Sequence, residues 1–228
     1  DRLEHALADA FPDATLIRVD RETTRRRDAL EAHLARLGDG PGILVGTQML
    51  AKGHDLPNLT LVAVVGIDEG LFSADFRAPE KLAQLLIQVA GRAGRADKPG
   101  QVLLQTHHPE HPLLLTLLGG GYAAFAETEL AQREVAGFPP FGHLVLLRAE
   151  AKQVEQANAF LRAARTAIDS AADELFDPND PDAMIELNGP LPAPMPRRAG
   201  YQREQLLLSS PTRRHLHAAL DFALPAIH

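Results

Sequence analysis

Apolar residues recur at helical spacing in the opening RLEHALADAF, Pro12 closes that pattern, and TLIRVD then reads as a strand. RRDALEAHLARLGDG predicts an amphipathic helix ended by Gly38, while GILVGT and LTLVAVVGID, apolar on both faces, predict buried strands. PEKLAQLLIQVAGRAGR follows as a helix with Pro79 near its first turn, and GQVLLQT as another strand. Strands that alternate with helices and are apolar on both faces predict a parallel sheet covered on both sides. The expected first domain is therefore an α/β lobe over residues 1–110. Two helices broken at Gly119, Gly120 and Gly121 form an expected connector over residues 111–142, which closes with the turn-rich FPPFG. Residues 143–228 then read as strand, long Ala-rich helix, short strand near Ile185, strand at 205–209 and final helix, with GPLPAPMPRRAG as a loop. That order predicts a small α+β sandwich with its helices on one face of a mostly antiparallel sheet.

Composition narrows the function classes. At 228 residues the chain has room for two ordinary domains, and 45% hydrophobic with 23% charged residues is the profile of a globular protein. It holds no cysteine, so no disulfide or thiolate zinc site is possible within it. Its ten histidines are scattered, and neighbours such as His107 and His108 lack metal-ligand spacing. No apolar run nears the ~18 residues of a membrane span, and no signal segment opens the chain, so a cytoplasmic location is expected. A net charge of −7 argues against bulk attraction to nucleic acid but permits a local basic strip. The chain enters its first helix without preamble, as expected of a piece of a longer protein.

Two stretches carry chemistry. In QVAGRAGRADKPG, Arg92 and Arg95 stand three residues apart, with Gly91, Ala93 and Gly94 leaving room for close approach. On a continuing helix both heads leave one face. A guanidinium matches phosphate oxygens bidentately and is suited to stabilising a transferring phosphoryl group. Arginines at a helix C-terminus also simply favour the macrodipole, and spacing alone leaves both readings open. In ILVGTQMLAKGHDLPNLTLV a buried strand stops at Gly46 and Thr47, and a polar loop follows with Lys52, Gly53, His54 and Asp55. Ligands collect at the C-terminal ends of parallel strands. There a hydroxyl, a lysine and free amides can hold a phosphate backbone, and Asp55 can accept from a sugar hydroxyl; a surface loop with Asp55 and Asn58 as turn formers explains the same residues. Further on, Arg197, Arg198, Tyr201 and Arg203 form a basic cluster with one aromatic, able to track a backbone or stack a base. Arg213 and Arg214 enter the first turn of the last helix, where they oppose the macrodipole and invite an acidic partner.

Strand-Gly-Thr, a Gly-x-Asp loop, a further strand and then Gln-x-x-Gly-Arg-x-x-Arg together resemble motifs V and VI of superfamily 2 helicases, in the second RecA-like lobe. The resemblance implies that Arg95 is an arginine finger to the γ-phosphate and Arg92 a second phosphate or water-positioning contact. It further implies that Gln88 and Gly91 share the nucleotide-facing surface, that Thr47, Gln48, Lys52 and His54 meet DNA, and that Asp55 links DNA and nucleotide states. The longer wording, from RVDRETT through FPPFGHLVLLRAE, is similar to the PriA family of primosomal helicases that restart stalled replication forks. That resemblance implies an ATP- and magnesium-dependent 3′→5′ DNA helicase whose partners are forked and single-stranded DNA, the single-stranded-DNA-binding protein and primosome components. Its end domain contributes to DNA handling and to capture of that protein's acidic tail, for which Arg213 and Arg214 are the candidates. The family's zinc module, with eight cysteines, lies upstream of this stretch, and a monomer is the expected state. Within these residues there is neither a phosphate loop nor an Asp-Glu-x-His magnesium box. Asp68 and Glu69 in GIDEG imitate such a box and are assigned instead to the lobe cleft or to structure. The chain alone is expected neither to hydrolyse ATP nor to unwind DNA; the alternative is a non-catalytic binding module with a structural remnant of motif VI.

Overall fold

The computed structural model describes residues 2–19, 35, 37, 40–46, 59–91 and 100–227. They divide into two compact units: residues 1–73 with 77–122, and residues 74–76 with 123–228.

In the first unit, α1 (Arg2–Ala10) leads into β1 (Thr15–Val19), which pairs in parallel with β2 (Gly42–Gly46) from Thr15↔Gly42 to Val19↔Gly46. Ile17 and Val19 are buried here against Leu37 and Leu44. A second parallel pair joins β3 (Leu61–Val64) to β4 (Gln101–Leu104). Among the described residues the parallel strands thus form two separate pairs, not one continuous sheet. Most of the helix predicted from RRDALEAHLARLGDG lies outside the described residues. After β3 the chain turns at Gly66, whose φ of 68° suits glycine, and forms the short α2 (Asp68–Leu71) and then α3 (Ala78–Ala90). Pro79 sits in the first turn of α3, where its missing N–H costs nothing, and Ala78, Leu82, Ala83, Leu86 and Val89 make its buried stripe.

The helix α4 (Pro112–Val135) is interrupted at Gly121, where φ 70° and ψ −168° leave the helical region; Gly119 and Gly120 do not break it. Leu114 and Leu117 are buried before that break and Phe125 after it. In the second unit Arg133 sets its Nε 2.8 Å from Glu129, lies over the Phe76 ring at 5.3 Å and reaches the Pro139 carbonyl at 3.5 Å. Phe76 in turn meets Phe138 with ring centres 5.6 Å apart. Both charges of the Arg133–Glu129 pair are nearly buried, so each depends on the other.

The remainder of this unit is β5 (His143–Ala151), α5 (Val154–Leu175), a 3-10 turn (Pro181–Ala183), β6 (Glu186–Arg198), β7 (Tyr201–Ser210) and α6 (Arg213–Ile227). The antiparallel sheet has the order β5-β7-β6. Leu147 opposes Leu206 and Val145 opposes Leu208, placing these side chains on one face. Leu161, Ile168, Leu216 and Ala219 of α5 and α6 close over that face in a single core.

One expectation is overturned. GPLPAPMPRRAG is not a loop but most of the 13-residue β6. Four prolines, at 190, 192, 194 and 196, are tolerated because β6 is an edge strand and can spare N–H groups on its outer side. Two irregularities absorb what does not match, one between Asn188 and Leu191 and one between Pro192 and Arg197. At the first, Gly189 has φ 121° and Arg165 of α5 donates to its carbonyl at 2.7 Å. Ala199 (φ 50°) and Gly200 (φ 84°) then close the hairpin between the paired Arg198 and Tyr201, the two-residue geometry with positive φ at both positions.

Candidate nucleotide, nucleic-acid and peptide surfaces

Thr47, Gln48, Lys52, His54, Asp55, Arg92 and Arg95 all lie outside the described residues. The frame next to them is in place. β2 ends at Gly46, the residue before Thr47, and α3 ends at Ala90 with the Gly91 N–H bonded to the Ile87 carbonyl at 3.0 Å. Gln88 and Gly91 are both exposed at that helix end. The helical relation expected between Arg92 and Arg95 falls beyond the described part of α3.

Asp68 has a defined partner set. It follows β3 and accepts from the Thr106 hydroxyl and from the His107 N–H at 3.1 Å, beyond the end of β4. Gly66 N donates to the Gln105 side chain at 3.0 Å, and the Gln105 N–H reaches the Val64 carbonyl at 2.9 Å. This carboxylate therefore ties two strand ends together. The Thr106 hydroxyl, followed by the His107 N–H, holds Asp68 below the ordinary carboxylate range against the opposing effect of burial. A depressed folded pKa stabilises above the unfolded value of ~3.9 and is lost as pH falls through the lower folded value. Asp68→Asn is accordingly expected to lower the melting temperature at pH 7. The gap to the parent should narrow as pH falls below the unfolded value and through the lower folded one, as thermal unfolding across that range will show.

In the second unit the basic cluster becomes a hairpin tip. The register sets Arg198 opposite Tyr201 and Arg197 opposite Gln202. Arg197, Arg198 and Tyr201 are exposed. Arg203 differs: it opposes Glu150 on β5, and its Nε lies 2.7 Å from that carboxylate. Among the described residues its charge is already matched, so it braces β5 against β7.

Arg213 lines a cleft of about 530 Å³ together with Pro139, Pro140, His143, Leu216 and His217. Arg213 donates from Nε to His217 Nε2 at 3.3 Å. The start of α6 is pinned: the Thr212 hydroxyl donates to the Asp182 carbonyl at 3.2 Å and His215 Nδ1 donates to the same oxygen at 2.7 Å. Among the described residues neither Arg213 nor Arg214 makes an ion pair, and Arg214 does not line the cleft. Sequence reasoning missed His143 and His217. His217 was findable, four residues after Arg213 on a helix, whereas His143 is brought in by the FPPFG turn. Among the described residues no group of three His, Cys, Asp or Glu side chains can hold a metal ion, and no helix is long and apolar enough to cross a membrane.

Comparison with known proteins agrees with this division. Residues 3–97 match the family described as helicase conserved C-terminal domain, and residues 134–227 match the primosomal protein N C-terminal domain. The replication restart protein PriA of Haemophilus influenzae is 48% identical over 221 residues, covering 96% of this chain and 29% of that protein. Its namesake in Synechocystis is 40% identical, over 92% of this chain and 24% of its own length. The Bacillus subtilis protein is 43% identical, over 68% of this chain and 20% of its own length. The chain spans less than a third of each of these relatives.

Proposed function

Because the chain belongs to the replication restart protein PriA family, as the C-terminal part of its helicase, we propose that it supplies one half of an ATP site in a full-length 3′→5′ DNA helicase. The observation that carries this reading is the order of parts in one matched helicase region: β2 ending at Gly46, just before Thr47 in sequence, then β3, and then α3 with Gln88 near its end and Gly91 after it, leading to the segment that holds Arg92 and Arg95. In this reading Arg95 reaches the terminal phosphate, Arg92 assists it, and Gln88, Gly91 and Asp55 line the nucleotide. Thr47, Gln48, Lys52 and His54 meet the DNA strand. Among the described residues no group of three His, Cys, Asp or Glu side chains suits a metal ion and Asp68 is committed to Thr106 and His107, while a cysteine-free chain has no thiolate for zinc. Phosphate loop and metal carboxylates must then come from elsewhere in the full-length protein, which acts in the cytoplasm at stalled forks. The direct test is ATP turnover of the 228-residue chain beside the full-length protein, set out at the close of the Discussion.

Partner capture belongs to the second unit. A cleft that joins the Arg213 guanidinium to apolar residues suits an acidic peptide that carries an apolar side chain, the chemistry expected of the single-stranded-DNA-binding protein's tail. Arg214, exposed beside Arg213, extends the field outside the cleft. An acidic peptide of aspartate and leucine with a free C-terminal carboxylate is expected to bind the chain. Arg213→Ala should weaken it about tenfold or more, since hydrogen bonds to charged groups contribute ~1.5–3 kcal/mol. Fluorescence anisotropy with the labelled peptide measures this, and equal affinity for parent and variant would remove Arg213 from the site.

A further inference from the structure

The link between α2 and α3 passes from one unit to the other and back. Residues 74–76 belong to the second unit, whereas Ser73 and Arg77 on either side of them belong to the first. An aromatic ring stands at each end of the crossing. Phe72 stays in the first unit, T-shaped against His108 at 4.7 Å and against His111 at 5.5 Å between ring centres. Phe76 is held in the second unit, with the Phe138 ring 5.6 Å away and the Arg133 guanidinium 5.3 Å from its centre. Arg133 is itself fixed by Glu129 at 2.8 Å and by the Pro139 carbonyl at 3.5 Å, so the cation over the ring has little freedom to leave it. The residue after Phe76 starts the helix that leads to the two arginines. Arg77 is the N-cap of α3, and no side chain caps that end; its carbonyl accepts from the Lys81 N–H at 2.9 Å. A helix start without a side-chain cap takes its place from what precedes it, here Phe76. The 13 residues of α3 span ~20 Å, and a stiff rod carries a shift at its start to its far end. There Gln88 and Gly91 lie, and the sequence runs on into Arg92 and Arg95. A guanidinium that must meet a transferring phosphoryl group tolerates little of such a shift, since a misplacement of ~1 Å can cost ~10²-fold.

We propose that Phe76 is a positioning residue for ATP hydrolysis: the Arg133–Phe76–Phe138 clamp in the second unit holds the start of α3 so that Arg95 meets the terminal phosphate. The inference rests on the arginine-finger reading above, and it gives the second unit a part in turnover that is separate from its peptide cleft.

Full-length variants are compared in DNA-stimulated ATP turnover well below their melting temperatures, with calorimetry on the same samples. Phe76→Ala should lower kcat about tenfold or more, while KM for ATP and affinity for DNA stay within about twofold of the parent. Phe76→Tyr keeps a ring under Arg133 and beside Phe138 and should restore turnover. Phe138→Leu leaves Phe76 and its cation in place and should give a smaller loss of the same kind; it carries the test if Phe76→Ala does not fold. In an Arg95→Ala background Phe76→Ala should cost less than about twofold more, because both act through one guanidinium. Arg95→Ala with unchanged turnover would remove the arginine-finger reading itself. If Arg95→Ala silences the protein, three results would instead overturn the clamp alone. These are parental kcat in Phe138→Leu and in any folded Phe76→Ala, no recovery with Phe76→Tyr, or a Phe76→Ala loss as large without Arg95 as with it.

Discussion

Arg95→Ala in the full-length protein is expected to reduce DNA-stimulated ATP hydrolysis by about 10³-fold, the scale of an arginine finger's contribution, while fork affinity changes little. The charge that develops on a transferring phosphoryl group is spread over its equatorial oxygens, and a planar guanidinium meets it with two parallel donors. A point charge on a flexible stem does not, so Arg95→Lys should recover only part of the loss. The reduction should fall on kcat with KM for ATP nearly constant, because the interaction strengthens as the transition state forms. A variant with near-parental turnover would place the finger elsewhere and return these arginines to helix-end chemistry.

The second large effect concerns folding. At Gly189 a φ of 121° is open to glycine alone, and a Cβ there would stand 2.7 Å from the Gln205 carbonyl oxygen. Strain of this kind costs about 3 kcal/mol, so Gly189→Ala is expected to lower the melting temperature of the second unit by about 10–20 °C. Gly200, also at positive φ but with nothing within 4 Å of the added atom, provides the control. Gly200→Ala should cost only about 1 kcal/mol, the backbone component alone. Calorimetry on the chain separates the two, and equal melting temperatures would show that the bulge at Gly189 relaxes freely.

Periodicity made most of this architecture legible. The stripe of Leu82, Leu86 and Val89 announces α3, and the long α5, with Leu161, Ala164, Ile168 and Ala171 buried, reads as a helix from its spacing alone. β6 was hidden because proline composition outweighs alternation in any sequence reading, and only the sheet order shows that β6 lies at an edge. The tip was hidden for a related reason: Ala199 occupies a left-handed position that usually signals itself with Asn, Asp or Gly. Site chemistry split the same way. Local strings exposed the arginines, but pairing decided their roles. Arg203 looks equivalent to Arg197 in sequence, and only the β5–β7 register reveals that Glu150 already neutralises it. Asp68 looks like a metal carboxylate until Thr106, 38 residues away, closes on it.

The most direct measurement is DNA-stimulated ATP turnover on two samples under one condition, the 228-residue chain and the full-length protein. If the chain supplies only the arginine side of the nucleotide site, the full-length protein turns over, the chain alone gives no hydrolysis above background, and Arg95→Ala silences the full-length protein. Hydrolysis by the chain alone, or full-length turnover indifferent to Arg95, would contradict that account.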